Sequence, residues 1–207
     1  LSNMHREISR EKISVAQQVM KQLFVSLGRE VRSQLCAFIA GDLAYFLAHN
    51  EPREHVASGE MVKGSDIDIV IILSESLPDE IQTRIDSEMT ALKSLYLRHP
   101  QYRHEIDFIC KRKSVMERQF QYTDIHDKIA SKIAYESMFL GGSLTLYMEV
   151  RDAMVRTGVD RLIEQDFDHA LKDRKNAMHQ LLNVPGDSID EEARSLFHFS
   201  QERVEFS

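Results

Sequence analysis

The chain has 207 residues, 43% of them hydrophobic and 29% charged, with 26 Lys plus Arg against 33 Asp plus Glu for a net charge of −7. That composition suits a packed globule and not a disordered tail. The acidic balance makes extended nucleic-acid binding unexpected, because such binding draws on many Lys and Arg contacts to phosphate. No apolar run approaches the ~18 residues of a membrane span and no signal-peptide pattern opens the chain. A cytoplasmic protein without a membrane partner is therefore expected. The first residue is Leu1 and not Met, as in a trimmed chain or a piece of a longer one. Cys36 and Cys110 make no zinc or CxxC spacing; both lie in apolar runs and read as buried, reduced thiols.

In chain order, the apolar stripe of Ile13, Ala16, Met20, Leu23, Phe24 and Leu27 predicts a helix over 4–27, stopped by Gly28. Residues 34–40 are short and apolar and read as a buried strand ending at Gly41, with a short helix over 42–49 and a polar loop over 50–63. Residues 66–73, rich in Ile and Val, are the strongest strand in the chain. Pro78, Asp79 and Glu80 open a helix to about Leu97, broken by His99-Pro100, and a third strand covers 104–110. A helix over 125–140 is interrupted by Gly141-Gly142, Ser143 caps another to about Arg156, and a longer one spans Val159 to Leu182. A last short helix starts at Ser188, with Asp190, Glu191 and Glu192 in its first turn. The fold class is α+β: a small mixed sheet with flanking helices over 1–115, and a C-terminal helical region over 116–207.

The chemistry lies in carboxylates. Asp66 and Asp68 are two apart at the start of a strand, so both project from one face. Like charges this close repel unless a cation lies between them, and oxygen ligands on a rigid strand suit Mg²⁺ or Mn²⁺. Asp107, between Ile106 and Phe108 in the third strand, is placed to complete a three-carboxylate cluster if that strand lies beside 66–73. Three acids can hold two metal ions in the arrangement used for phosphoryl-type transfer.

The run Gly64-Ser65-Asp66-Ile67-Asp68-Ile69-Val70 resembles the Asp-x-Asp strand of the nucleotidyltransferases related to DNA polymerase β. The resemblance covers about residues 33–110. It implies that Ile39-Ala40-Gly41 is the strand end whose backbone faces a triphosphate, that Asp66 and Asp68 are the metal pair, and that Asp107 is the third metal ligand and base. Asp42 stands where the family usually has Ser, and 25 positions separate Gly41 from Asp66, about twice the family's usual spacing. By itself, Gly41 at a helix start also suits the close approach of a phosphate, and an Asp at position 42 suits a helix cap.

The expected activity is transfer of a nucleoside monophosphate from a nucleoside triphosphate to an acceptor hydroxyl, with release of pyrophosphate. Catalysis and metal binding fall to Asp66, Asp68 and Asp107; Gly41, Asp42 and Ser65 line the nucleotide. Lys128 and Lys132, four apart on one helix, are candidates for the phosphates, since the resemblance implies a basic residue there. The acceptor is open: a small molecule, a protein side chain, another nucleotide or an RNA end. A module that binds nucleotide without turnover is the alternative, and Asp42 favours it. Residues 98–132 hold eight Lys/Arg against five Asp/Glu, a local +3 that leaves −10 for the remainder of the chain. Lys111-Arg112-Lys113 reads as a solvated end to the third strand, and the nine His are dispersed without a metal spacing.

Overall fold

The computed structural model describes residues 3–183. The helix expected to start at Ser188 lies outside that range. Six helices surround a four-stranded mixed sheet, and a two-stranded sheet stands beside it. The expected α+β class holds at that level.

The long N-terminal helix α1 (Asn3–Arg32) buries Val19, Met20, Leu23 and Leu27 along the expected stripe. It breaks at Gly28, as expected, but a further turn follows before strand β1 (Leu35–Ile39). The helix expected over 42–49 is absent. A 3-10 turn occupies Gly41–Leu43, and the left-handed φ of 58° at Phe46 keeps a helix from continuing beyond it. The physical cause is tertiary. Ser9 of α1 accepts the Ala48 N–H at 3.1 Å through its hydroxyl, and His5 Nδ1 lies 3.2 Å from the Leu47 carbonyl. Both contacts tie the end of this segment to α1, and the residues between are held as turns by the Phe46 N–H on the Leu43 carbonyl and the Leu47 N–H on the Asp42 carbonyl.

The stretch 50–63 is not a bare loop. Strands β2 (Pro52–Glu54) and β3 (Met61–Lys63) pair antiparallel as a small hairpin. Strand β4 (Ile67–Leu73) follows, then helix α2 (Asp79–Arg98), then strand β5 (Ile106–Arg112). The sheet order is β5-β4-β1 and then a fourth strand, with β4 antiparallel to β1 and parallel to β5. The three strands expected from their composition therefore do share one sheet, with 66–73 in the middle.

Three readings of the second half are corrected. Lys113–Gln119 form a short helix, α3, and the basic triplet before it is not merely solvated: Arg112 donates to the carbonyls of Ser74 and Leu77 at 3.0 and 2.6 Å and pairs with Asp79 at 2.6 Å, and Lys113 pairs with Glu117 at 3.1 Å. The helix expected over 125–140 stops early, as α4 (Ile125–Tyr135). Met138–Gly142 then form strand β6, which pairs antiparallel with the free edge of β1. The helical stripe runs on past Tyr135, but the unsatisfied backbone of β1 offers Met138–Gly142 a ladder that a helix would leave unused. Ser143 caps α5 (Leu144–Thr157), accepting the Leu146 N–H at 3.2 Å, and α6 (Val159–Leu182) completes the described chain.

Side chains alternate across the sheet and separate two cores. Ile67, Ile69, Ile71 and Ile106 pack with α1 and α2, while Phe38, Val70 and Ile72 pack with α3 and α5. Cys36 is buried and Cys110 half-buried; both thiols are free, and burial pushes each pKa up to about 12. Among the described residues no helix is long and apolar enough to cross a membrane.

Candidate metal centre

Asp66 immediately precedes β4, Asp68 is its second residue, and Asp107 is the second residue of β5. The parallel register sets Asp68 directly beside Asp107, on neighbouring strands about 4.8 Å apart. Asp66, two residues before Asp68, points to the same side. One carboxylate oxygen from each of the three lies within 4.8 Å of the others. All three side chains are half-buried at the edge of the sheet.

Around them the sign of the charge is lopsided. The Asp68 pKa is pushed up to about 7, first by burial and then by the negative charges of Asp66, Asp107, Asp42 and Glu105. Two cations answer. Lys93 of α2 reaches round the edge of β5 to pair with Asp107. Arg53 of the hairpin lies 3.8 Å from Asp66 and 2.8 Å from Glu105, and also donates to the Gly64 carbonyl at 3.0 Å. Five carboxylates facing Lys93 and Arg53, with Lys12 beneath the Asp66 loop, leave an excess of negative charge that a divalent ion would neutralise. Clustered oxygens of this kind are the donor set that Mg²⁺ and Mn²⁺ prefer.

The loop that presents Asp66 is anchored from below. Lys12 of α1 is fully buried and donates to the carbonyls of Lys63 and Ser65, both at 2.7 Å. Burial lowers its pKa to about 8, against the opposing pull of Glu11 and Asp66. Ser65 is itself buried; its hydroxyl accepts the His49 N–H at 3.2 Å and donates to Asp42 at 3.2 Å. Asp42 therefore does not cap a helix. Its carboxylate is tied to Ser65, and its charge adds to the load on Asp68. Gly41, with φ +65°, passes so close to Asp68 that an added Cβ would stand 3.2 Å from its Oδ2.

The structure thus brings together Asp66, Asp68, Asp107, Gly41, Asp42 and Ser65. Lys128 is engaged elsewhere: it pairs with Asp166 of α6 at 3.3 Å and sits 4.9 Å above the Tyr122 ring. Lys132 stands one helical turn from Glu136, whose carboxyl is hydrogen-bonded by Tyr45 of the segment after Gly41. Lys93, Arg53, Glu105 and Lys12 had no signal in the sequence, for none lies in a motif. Only the charge of the acids they meet could have asked for the cations. Neither a protein-family model nor a curated protein sequence matches the chain.

Proposed function

We propose that the protein is a metal-dependent nucleotidyltransferase that moves a nucleoside monophosphate from a nucleoside triphosphate to an acceptor hydroxyl. The observation that carries this reading is the meeting of Asp66, Asp68 and Asp107 within 4.8 Å, across two parallel strands, beside the open backbone of Gly41. In this reading the arrangement is that of the nucleotidyltransferases related to DNA polymerase β. Asp66, Asp68 and Asp107 hold Mg²⁺ or Mn²⁺, which when bound neutralises phosphate oxygens and acidifies the acceptor hydroxyl. Asp107 takes the acceptor's proton. The acceptor oxygen then forms a bond to the α-phosphorus, the bond from that phosphorus to the β-phosphate oxygen breaks, and pyrophosphate leaves. Gly41, lacking a side chain, keeps the approach to Asp68 clear for the phosphates. Asp68 must give up its proton to act as a ligand, so metal affinity rises with pH towards and through about 7. The acceptor is a small molecule, a protein side chain or a nucleotide end.

A second reading, a nucleotide-binding module without turnover, is favoured by one feature. Asp42 puts a further carboxylate beside the site that the triphosphate would occupy. The test is incubation with each of the four labelled nucleoside triphosphates and Mg²⁺ or Mn²⁺, with and without candidate acceptors. Monophosphate incorporation and pyrophosphate release, both lost in Asp68→Asn, are the expected result. Nucleotide binding without pyrophosphate release would select the second reading, and failure to bind any triphosphate would reject both.

A further inference from the structure

A groove of about 200 Å³ opens between α4 and the sheet, on the face that carries the three aspartates. Its floor is Val70 and Ile109, which are partners in register. Each stands two residues beyond an acid on the same face, Val70 after Asp68 and Ile109 after Asp107. Ile129 and Ile133 of α4, one helical turn apart, line it from above. Ile109 keeps 48% of its surface exposed, so the apolar wall is open to a ligand.

The permanent charge in this groove is Lys111, the next same-face residue of β5 after Ile109, and the His126 imidazole of α4 also lines it. It is half-buried, and its ammonium donates to the side-chain oxygen of Gln119 at 2.9 Å. Among the described residues no carboxylate pairs with it, whereas Arg53, Lys93 and Lys128 all have carboxylate partners. Burial lowers its pKa, and no neighbouring charge opposes that shift. A cation withdrawn from water beside apolar side chains is costly unless an anion meets it. Asp107 is four residues away along the strand, about 13 Å at the rise of a β-strand. At that distance, and with Asp107 already paired to Lys93, the acids oppose an anion on Lys111 only weakly.

We propose that this groove binds a small organic anion with an apolar body, its carboxylate or phosphate-ester end on Lys111 and its body on Val70, Ile109 and Ile129. A ligand about 10 Å long, with a hydroxyl at its far end, would bring that hydroxyl to Asp107. Its use as the acceptor rests on the nucleotidyl-transfer reading; the binding itself does not.

The test omits metal and nucleotide. Isoleucine-methyl-labelled protein is titrated with 3-phenylpropanoate, phenyl phosphate and the neutral 3-phenylpropan-1-ol. One or both anions should bind at millimolar concentration and shift the Ile109 and Ile129 methyl signals, with the alcohol several-fold weaker. Response to one anion alone identifies which charged group the site takes. Lys111→Met keeps the packing of the stem and should weaken the anions about tenfold while leaving the alcohol unchanged. If that variant does not fold, Ile109→Glu, at an exposed position, should exclude the anions by like charge. Asp68→Asn should leave anion binding intact, which separates failure of the groove from failure of the metal site. Equal binding of all three probes, no shift of groove methyls, or anion affinity unchanged in Lys111→Met (or in Ile109→Glu, where that stands in) would overturn the proposal.

Discussion

At Asp68, burial and four neighbouring carboxylates act together on one acid. Its folded pKa, about 7, lies above the ordinary 3.8. Between those values the folded protein keeps a proton that the unfolded chain has released. Its contribution to stability is thus complete below pH 3.8 and is lost as the pH rises through about 7. The metal-free protein should therefore weaken from about pH 4 to pH 7, and Asp68→Asn should weaken much less. At about pH 8 the Asn variant should be the more stable by on the order of 1–2 kcal/mol in urea unfolding, a figure discounted for partial exposure. Equal stability of the two at that pH would mean that the carboxylates do not confront one another. Lys93 gives the complementary prediction. Its ammonium holds Asp107 in the metal-free protein and repels an arriving cation. Lys93→Met should tighten Mn²⁺ binding several-fold by calorimetry, because the competing charge is gone. An unchanged or weaker affinity would place Lys93 outside the site.

At the scale of elements, β6 is the piece that local sequence hides best. Met138–Gly142 follow a helix without a turn signal, and only the partner strand β1, about a hundred residues earlier, makes them a strand. Gly142 makes that pairing possible. It adopts φ +91°, and a Cβ there would lie 2.3 Å from the Leu35 carbonyl oxygen. Gly142→Ala should cost at least about 2 kcal/mol, from left-handed strain plus backbone overlap. Amide exchange should quicken along β1 on its β6 side before it does so at β4. An alanine variant as stable as wild type would show that β6 is not held in this register. The hairpin β2–β3 is hidden for a similar reason. Its strands are three residues each and carry Pro, Glu and Lys, so no alternation rises above that of a loop. Yet it delivers Arg53 to Asp66 and Glu105.

For the whole molecule, the sheet is a partition: α1 and α2 fill one side, and α3 and α5 lead the other. The acids sit where that second side opens at the sheet's edge, so metal binding should report on the folded state as a unit. An ion that binds only the native protein adds RT ln(1 + [L]/Kd), about 2.7 kcal/mol at a hundred times Kd. Mg²⁺ or Mn²⁺ should raise the melting temperature of wild type and do so much less in Asp66→Asn and Asp68→Asn. Full metal shifts in both variants would show that the ligands are elsewhere.

Local rules were enough for whatever depends on a few neighbouring residues. The stripe of α1, the β-branched run of β4, the Ser143 cap and the same-face pairing of Asp66 and Asp68 are set by side-chain period and hydrogen-bonding capacity, which act over one or two turns. The α+β class follows from them. Tertiary structure alone decided the rest, because the energies concerned join distant segments. It put Asp107 in register with Asp68, drew Lys93 and Arg53 to the acids, buried Lys12 beneath the Asp66 loop and replaced a helix at 42–49 with a series of turns tied to α1. A charge finds its partner across space, and a free strand edge recruits whatever backbone reaches it; neither partner need be near in sequence.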